Sequence, residues 1–65
     1  MTITVNGDDT SIADDSTVYQ LLSTLGLPDQ GIAVAVDGAV VPRGRWNGPL
    51  TPGAQVEIVT AVQGG

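Results

Sequence analysis

Residues 17–28, TVYQLLSTLGLP, predict a short amphipathic helix that would cover one face of a sheet. Thr17 is followed three residues later by Gln20, which is the spacing of a capping box at a helix N-terminus. Gly26 supplies the left-handed residue that ends many helices, and Pro28 follows it. The apolar stripe that we expect to face the core consists of Val18, Leu21, Leu22 and Leu25.

A β-hairpin is predicted on each side of this helix. Before the helix, TITV alternates polar and apolar residues and runs into Asn6-Gly7, a strong signal for a two-residue hairpin turn. We expect a first strand over residues 2–6 and a short, weak second strand over TSIA, residues 10–13. After the helix, GIAVAVDGAVV predicts strands over 32–36 and 39–41, joined by a turn at Asp37-Gly38 and ended by Pro42.

The rest of the chain predicts an irregular segment and a final strand. Residues 42–53 are rich in glycine and proline, and we expect Trp46 and Leu50 to anchor this surface segment. Residues 55–62 predict a strand with alternating faces. One face carries Val56, Ile58, Thr60 and Val62, and the other carries Glu57, Val59 and Ala61.

This order of elements predicts an α+β protein with the β-grasp fold, in which one helix packs across one face of a mixed sheet of four to five strands. The connection between the first and last strands is long enough for these two strands to pair in parallel at the centre of the sheet. A chain of 65 residues is expected to form a single domain over residues 1–65, with residues 63–65 as a flexible tail.

Composition and charge narrow the classes of function. The chain carries two arginines, no lysine and seven acidic residues, which give a formal net charge of −5. This charge would repel nucleic acid and anionic lipid, and it would either attract a basic protein surface or simply maintain solubility. Because the sequence shows neither a signal-peptide pattern nor an apolar run long enough for a membrane helix, we expect a cytoplasmic protein.

The available side chains argue against an enzyme. The chain has no histidine and no cysteine, so the commonest proton shuttle and the best thiol nucleophile are both missing. The acidic pairs Asp8/Asp9 and Asp14/Asp15 match no EF-hand spacing and occur where turns and helix starts favour aspartate. We therefore expect no metal site and no bound cofactor.

Arg43, Arg45 and Trp46 each allow two interpretations. On an extended segment, the two arginines would present their guanidinium groups on one side, toward a carboxylate or a phosphate. The alternative, which the residues alone favour, is a pair of solvated surface charges. Trp46 would either cover the core, which we favour, or anchor an interface.

The last predicted strand runs almost directly into Gly64 and Gly65. Residues without a Cβ atom leave a terminal carboxylate sterically uncovered and able to enter a narrow channel. From residue 63 onward the chain would reach roughly 10 Å, at about 3.3 Å per residue, which suits delivery of a carboxylate into another protein's active site. An ordinary flexible end is the alternative.

Taken together, these features resemble the ThiS family of bacterial ubiquitin-like sulfur carriers, which serve thiamine biosynthesis. The resemblance rests on the β-grasp order, on TVYQLLSTLGL and LTPGAQVEIVTAVQGG, and on AVDGAVVPRGRW, in which Val-Pro-Arg is followed after two residues by Trp46. The family often has Gly-Asp before the last strand where this chain has Gly53-Ala54, a departure that is confined to a turn.

The resemblance implies a protein cosubstrate with two kinds of partner. An activating enzyme of the ThiF type would adenylate the Gly65 carboxylate with ATP, and sulfur would then convert it to a thiocarboxylate. A thiazole synthase of the ThiG type would take that sulfur, and Gly64 would give access to the terminus. The candidate docking residues are Val59 and Ala61, on the sheet face away from the helix, together with Arg43, Arg45 and Trp46.

Three alternatives stay open at this point. The small subunit of molybdopterin synthase resembles this chain in its fold and its Gly-Gly end, but it typically lacks the Val-Pro-Arg-x-x-Trp segment. A protein modifier would instead be ligated to lysines of target proteins. A plain binding module would make no use of its terminus.

Overall fold

A five-stranded mixed sheet with one α-helix is found in the computed structural model, which describes residues 1–60. The strand order across the sheet is 2-1-5-3-4 in chain numbering. This arrangement confirms the α+β class and the β-grasp fold. The elements are β1 (Thr2–Val5), β2 (Asp8–Ser11), α1 (Val18–Leu25), β3 (Ile32–Val36), β4 (Ala39–Val40), a 3₁₀ helix (Arg43–Arg45) and β5 (Gln55–Thr60).

The central strand is β5. It runs parallel to β1, with Val5 opposite Val56, so the predicted parallel pairing of the first and last strands is confirmed. Its other edge pairs antiparallel with β3 over five residue pairs, the last of which joins Ile32 and Thr60. Two strand positions that the sequence predicts, 61 and 62, lie outside the described residues.

Both hairpins turn where the sequence predicts. Asn6 and Gly7 have φ of 50° and 86°, and Asp37 and Gly38 have φ of 52° and 84°, the positive values that a type I′ turn requires at both central positions. The prediction for β2 was wrong by two residues, because this strand begins at Asp8. A two-residue turn places Asp8 directly opposite Val5 and thereby fixes the register, whatever the polarity of the strand. The β4 strand ends one residue earlier than predicted.

The helix has the predicted ends. The Thr17 N–H donates to the Gln20 carboxamide at 2.9 Å, and the Gln20 N–H donates to the Thr17 hydroxyl at 3.2 Å, which completes the capping box. At the other end, Gly26 has a φ of 72°, and the Leu27 N–H donates to the Leu22 carbonyl at 2.9 Å, as in a Schellman motif.

The core lies between the helix and one face of the sheet. Three residues of the predicted helical stripe are buried, but Leu25 is 38% exposed because it is the last helical residue and lies past the edge of the core. Trp46 and Leu50 are buried, which confirms that they anchor the segment before β5. Within residues 1–60, no helix is long and apolar enough to cross a membrane. The buried apolar residues are Ile3, Val5, Ile12, Val18, Leu21, Leu22, Val34, Trp46, Leu50, Ala54, Val56 and Ile58.

Candidate functional site

The candidate site is the end of β5 and the sheet surface beside it. Thr60 is the last residue that the structure describes, and it precedes Gly65 by five residues in the sequence. The predicted sulfur-carrying Gly65, the adjoining Gly64 and the docking residue Ala61 lie outside the described residues. The chain that leads to them therefore starts from the central strand of the sheet.

Two turn side chains hold β5 in addition to the strand pairing. The Asn6 carboxamide oxygen accepts the Ile58 N–H at 2.9 Å, and the Asn6 carboxamide N–H donates to the Ile58 carbonyl at 3.3 Å. At the start of the strand, the Asp37 carboxylate accepts the Gln55 N–H at 3.0 Å. Both side chains come from residues with positive φ in type I′ turns, one on each side of β5. Sequence reasoning identified both turns but missed these bonds.

The sheet face away from the helix carries an apolar patch. Ala33 lies opposite Val59, and Ala35 lies opposite Val40, in antiparallel pairs whose side chains share a face. We call Ala33, Ala35, Val40 and Val59 the open-face patch. Val40 is 73% exposed and Val59 is 61% exposed, whereas Val34, which points to the other face of β3, is buried. The alternation that predicts an outward-facing Val59 is thus confirmed.

Negative charge borders the open-face patch. Glu57 lies two residues before Val59 on the same strand face and is opposite Ala35. Further along the sheet, Asp9 lies opposite Thr4. An apolar surface with an acidic border fits a partner surface that is apolar at its centre and basic at its rim.

The two arginines do not have the predicted arrangement. Their segment is a 3₁₀ helix, in which successive residues are about 120° apart, so Arg43 and Arg45 diverge instead of pointing to one side. The Arg43 guanidinium is 3.4 Å from the Asp29 carboxylate, and both side chains are more than half exposed. It also lies 5.4 Å from the centroid of the Trp46 ring, within the range of a cation–π contact.

Trp46 belongs to the core and is 2% exposed. Its indole N–H donates to the Val41 carbonyl at 3.0 Å, and the Tyr19 ring packs edge-on with centroids 5.4 Å apart. This placement agrees with the core interpretation of the tryptophan. Its link to the surface runs through Arg43, whose guanidinium it supports.

The acidic pairs lie in separate places. Asp8 and Asp9 belong to β2, and the Asp14 carboxylate lies 3.1 Å from the Met1 ammonium group. Among residues 1–60, no group of three or more His, Cys, Asp or Glu side chains is arranged to hold a metal ion.

Comparisons with known proteins agree with this geometry. The sequence profile of the ThiS family matches residues 3–65. The structure is similar to the crystal structure of a thiamine biosynthesis protein (ThiS) from Geobacter metallireducens, with a TM-score of 0.83 and 29% sequence identity. That similarity covers 100% of both chains. No curated protein sequence is significantly similar to the chain.

Proposed function

The chain belongs to the ThiS family, and on that premise we propose that it is a sulfur carrier in thiamine biosynthesis. It acts as a protein cosubstrate, while the catalytic groups belong to its partner enzymes. The observation that carries the proposal is the position of β5, a central strand whose described part ends five residues before Gly65 and beside the open-face patch. Such a strand offers a rigid base from which a short tail reaches a partner's active site.

The chemistry takes place at the Gly65 carboxylate. A carboxylate is inert to substitution until one of its oxygens becomes a good leaving group. Its attack on ATP, within an activating enzyme of the ThiF type, forms an acyl-adenylate and releases pyrophosphate. A sulfur nucleophile at the oxidation level of sulfide then attacks the acyl carbon. AMP leaves with one former carboxylate oxygen, and the product is a thiocarboxylate. ATP is a substrate of the partner, so the carrier itself needs no cofactor.

The composition of the chain suits this chemistry. Gly64 and Gly65 add no side chain beside the reacting carbon, so the tail enters a narrow channel without steric cost. The chain contains no lysine and no cysteine, so it has no side-chain amine or thiol that would capture the activated terminus of a second copy. The sulfur is thus kept for a thiazole synthase of the ThiG type. The lack of lysine also argues against a modifier that forms chains on itself.

The open-face patch is the docking surface for the activating enzyme in this proposal. Val59 directly precedes Thr60, the described end of β5, so contact there would bring the tail close to the partner's active site. Glu57 and the net charge of −5 fit an enzyme surface with a basic rim. Arg43 would make a separate contact, with a carboxylate of the partner, and the Trp46 ring would hold its guanidinium in place.

The test is the intact mass of the protein after incubation with the activating enzyme, ATP and a sulfur source. We expect a mass gain equal to the exchange of one oxygen for sulfur, located on the C-terminal peptide. Deletion of Gly65 serves as the control and should abolish the gain. No gain on the full chain, with an enzyme that is active on a control carrier, would contradict the proposal and favour a binding module.

A further inference from the structure

The Asn6 side chain is bonded to the strand that leads to the reactive terminus. We propose that Asn6 is a positioning residue for activation of Gly65, because its carboxamide fixes the last part of β5; this inference rests on the proposed function. Asn6 lies in the turn between β1 and β2, 52 residues away from Ile58 in the sequence. It does not contact the reacting atoms and would act through β5.

The bonds of Asn6 replace strand pairing where β1 ends. The register of β1 against β5 stops at Val5 and Val56, and the Asn6 N–H then donates to the Val56 carbonyl at 2.9 Å. From there the side chain continues the ladder, since its carboxamide takes both the N–H and the C=O of Ile58. One edge of β5 faces β1. Within residues 1–60, the Asn6 carboxamide is the group that bonds to this edge after Val56. The opposite edge is paired with β3 as far as Thr60.

This position gives Asn6 influence on the terminus. Ile58 precedes Gly65 by seven residues, and a chain of that length spans at most about 25 Å. Fixing Ile58 fixes the position and direction of the chain where this segment begins. A partner that binds the tail then loses less conformational entropy, which is the general benefit of preorganisation.

A second turn residue provides an internal control. Asp37 also has positive φ and also bonds a backbone N–H of β5, but it does so at Gln55, the first residue of the strand. Glycine adopts positive φ without strain, so Asn6→Gly and Asp37→Gly each keep the turn and remove one side-chain clamp. The two variants therefore differ in which end of β5 loses its support and in the number of bonds lost, two for Asn6 and one for Asp37.

The experiment measures KM and kcat for activation, using pyrophosphate release by the activating enzyme with each variant as the carrier substrate. Asn6→Gly should raise KM by about three- to tenfold with kcat unchanged. The reason is that Ile58 loses its side-chain hydrogen bonds, so the partner must order more of the chain when it binds the tail. Asp37→Gly should leave KM at the wild-type value. Asn6→Asp keeps the acceptor for the Ile58 N–H and loses the donor, so its KM should lie between those of wild type and Asn6→Gly.

Stability and hydrogen exchange separate positioning from folding. Asn6→Gly loses two bonds and Asp37→Gly one, so both should melt at lowered temperatures and KM is compared where both are folded. Only Asn6→Gly should speed amide exchange at Ile58. An equal rise in KM for Asn6→Gly and Asp37→Gly would overturn the proposal, since loss of stability would then explain both. So would a wild-type KM for Asn6→Gly with faster exchange at Ile58. A wild-type chain that is not activated at all, by an enzyme active on a control carrier, would instead overturn the proposed function.

Discussion

Replacing the two exposed valines of the open-face patch with threonine should weaken docking to the activating enzyme without disturbing the fold. Threonine has nearly the shape of valine and an equally high preference for strands, so Val40→Thr and Val59→Thr keep the sheet intact. Each change replaces a methyl group with a hydroxyl that loses its water on docking. The variants therefore test the contribution of the contact surface to binding while the fold stays the same.

The expected magnitude follows from the exposure of the two residues. Val59 is 61% exposed and Val40 is 73% exposed, so most of each side chain is available for burial by a partner. Losing one methyl contact costs about 0.8 kcal/mol, and burying an uncompensated hydroxyl adds about 0.5–2 kcal/mol. Each variant should therefore raise the Kd by about ten- to 100-fold. The two sites lie two strands apart, about 10 Å, so their effects should be close to additive.

Titration calorimetry of each variant with the activating enzyme provides the measurement, and thermal unfolding checks that the fold is intact. Leu25→Gln is the matched control, because Leu25 is also an exposed apolar residue but lies on the helix. Its Kd should equal that of the wild type. If the double variant Val40→Thr/Val59→Thr unfolds like the wild type and still binds with wild-type affinity, the open-face patch is not the docking surface.

Three further predictions concern the contacts that hold the fold and the arginine segment. Thr17→Ala removes the capping box and should lower the free energy of unfolding by about 1 kcal/mol in chemical denaturation; an unchanged midpoint would contradict the importance of the cap. Trp46→Phe keeps an aromatic ring but loses the bond to Val41, so it should cost at least about 1 kcal/mol by the same measurement, and stability equal to wild type would show that this bond is dispensable. Arg43→Glu would lose the proposed contact with a partner carboxylate and should weaken binding to the activating enzyme several-fold in calorimetry, whereas an unchanged or lower Kd would leave Arg43 as a surface charge paired with Asp29.

The elements that were predicted correctly from the sequence are those whose signals are local. Asn6-Gly7, the capping box at Thr17 and Gly26 each carry their own backbone preference, and the structure uses all three. The placement of β2 failed for the complementary reason. Its residues, DDTS, have little preference for a strand, and they form one because the turn sets them opposite β1.

The site was only partly predictable because its parts come from distant segments. Alternation along β5 identified Val59 as an outward-facing residue. Val40 lies on the same surface because β4 pairs with β3 and β3 pairs with β5, and these long-range pairings cannot be read from one segment of sequence. The Asn6 carboxamide bonds to Ile58, 52 positions away. The Asn-Gly turn alone is sufficient reason for an asparagine at position 6, so the sequence gives no sign of this distant bond. The arginine prediction assumed an extended segment, whereas the chain after Pro42 turns into a 3₁₀ helix and separates the two side chains.

The central position of β5 also determines when the protein can fold during synthesis. This strand is translated after every other described element, yet it lies between the two hairpins and joins them. A nascent chain that lacks β5 consists of two hairpins and a helix with no strand between them. Folding through such long-range pairing must wait until translation has passed Thr60. Any copy of this protein that has folded therefore already contains every residue up to Thr60. Gly65, the residue that would carry the sulfur, is then only five residues further along the chain.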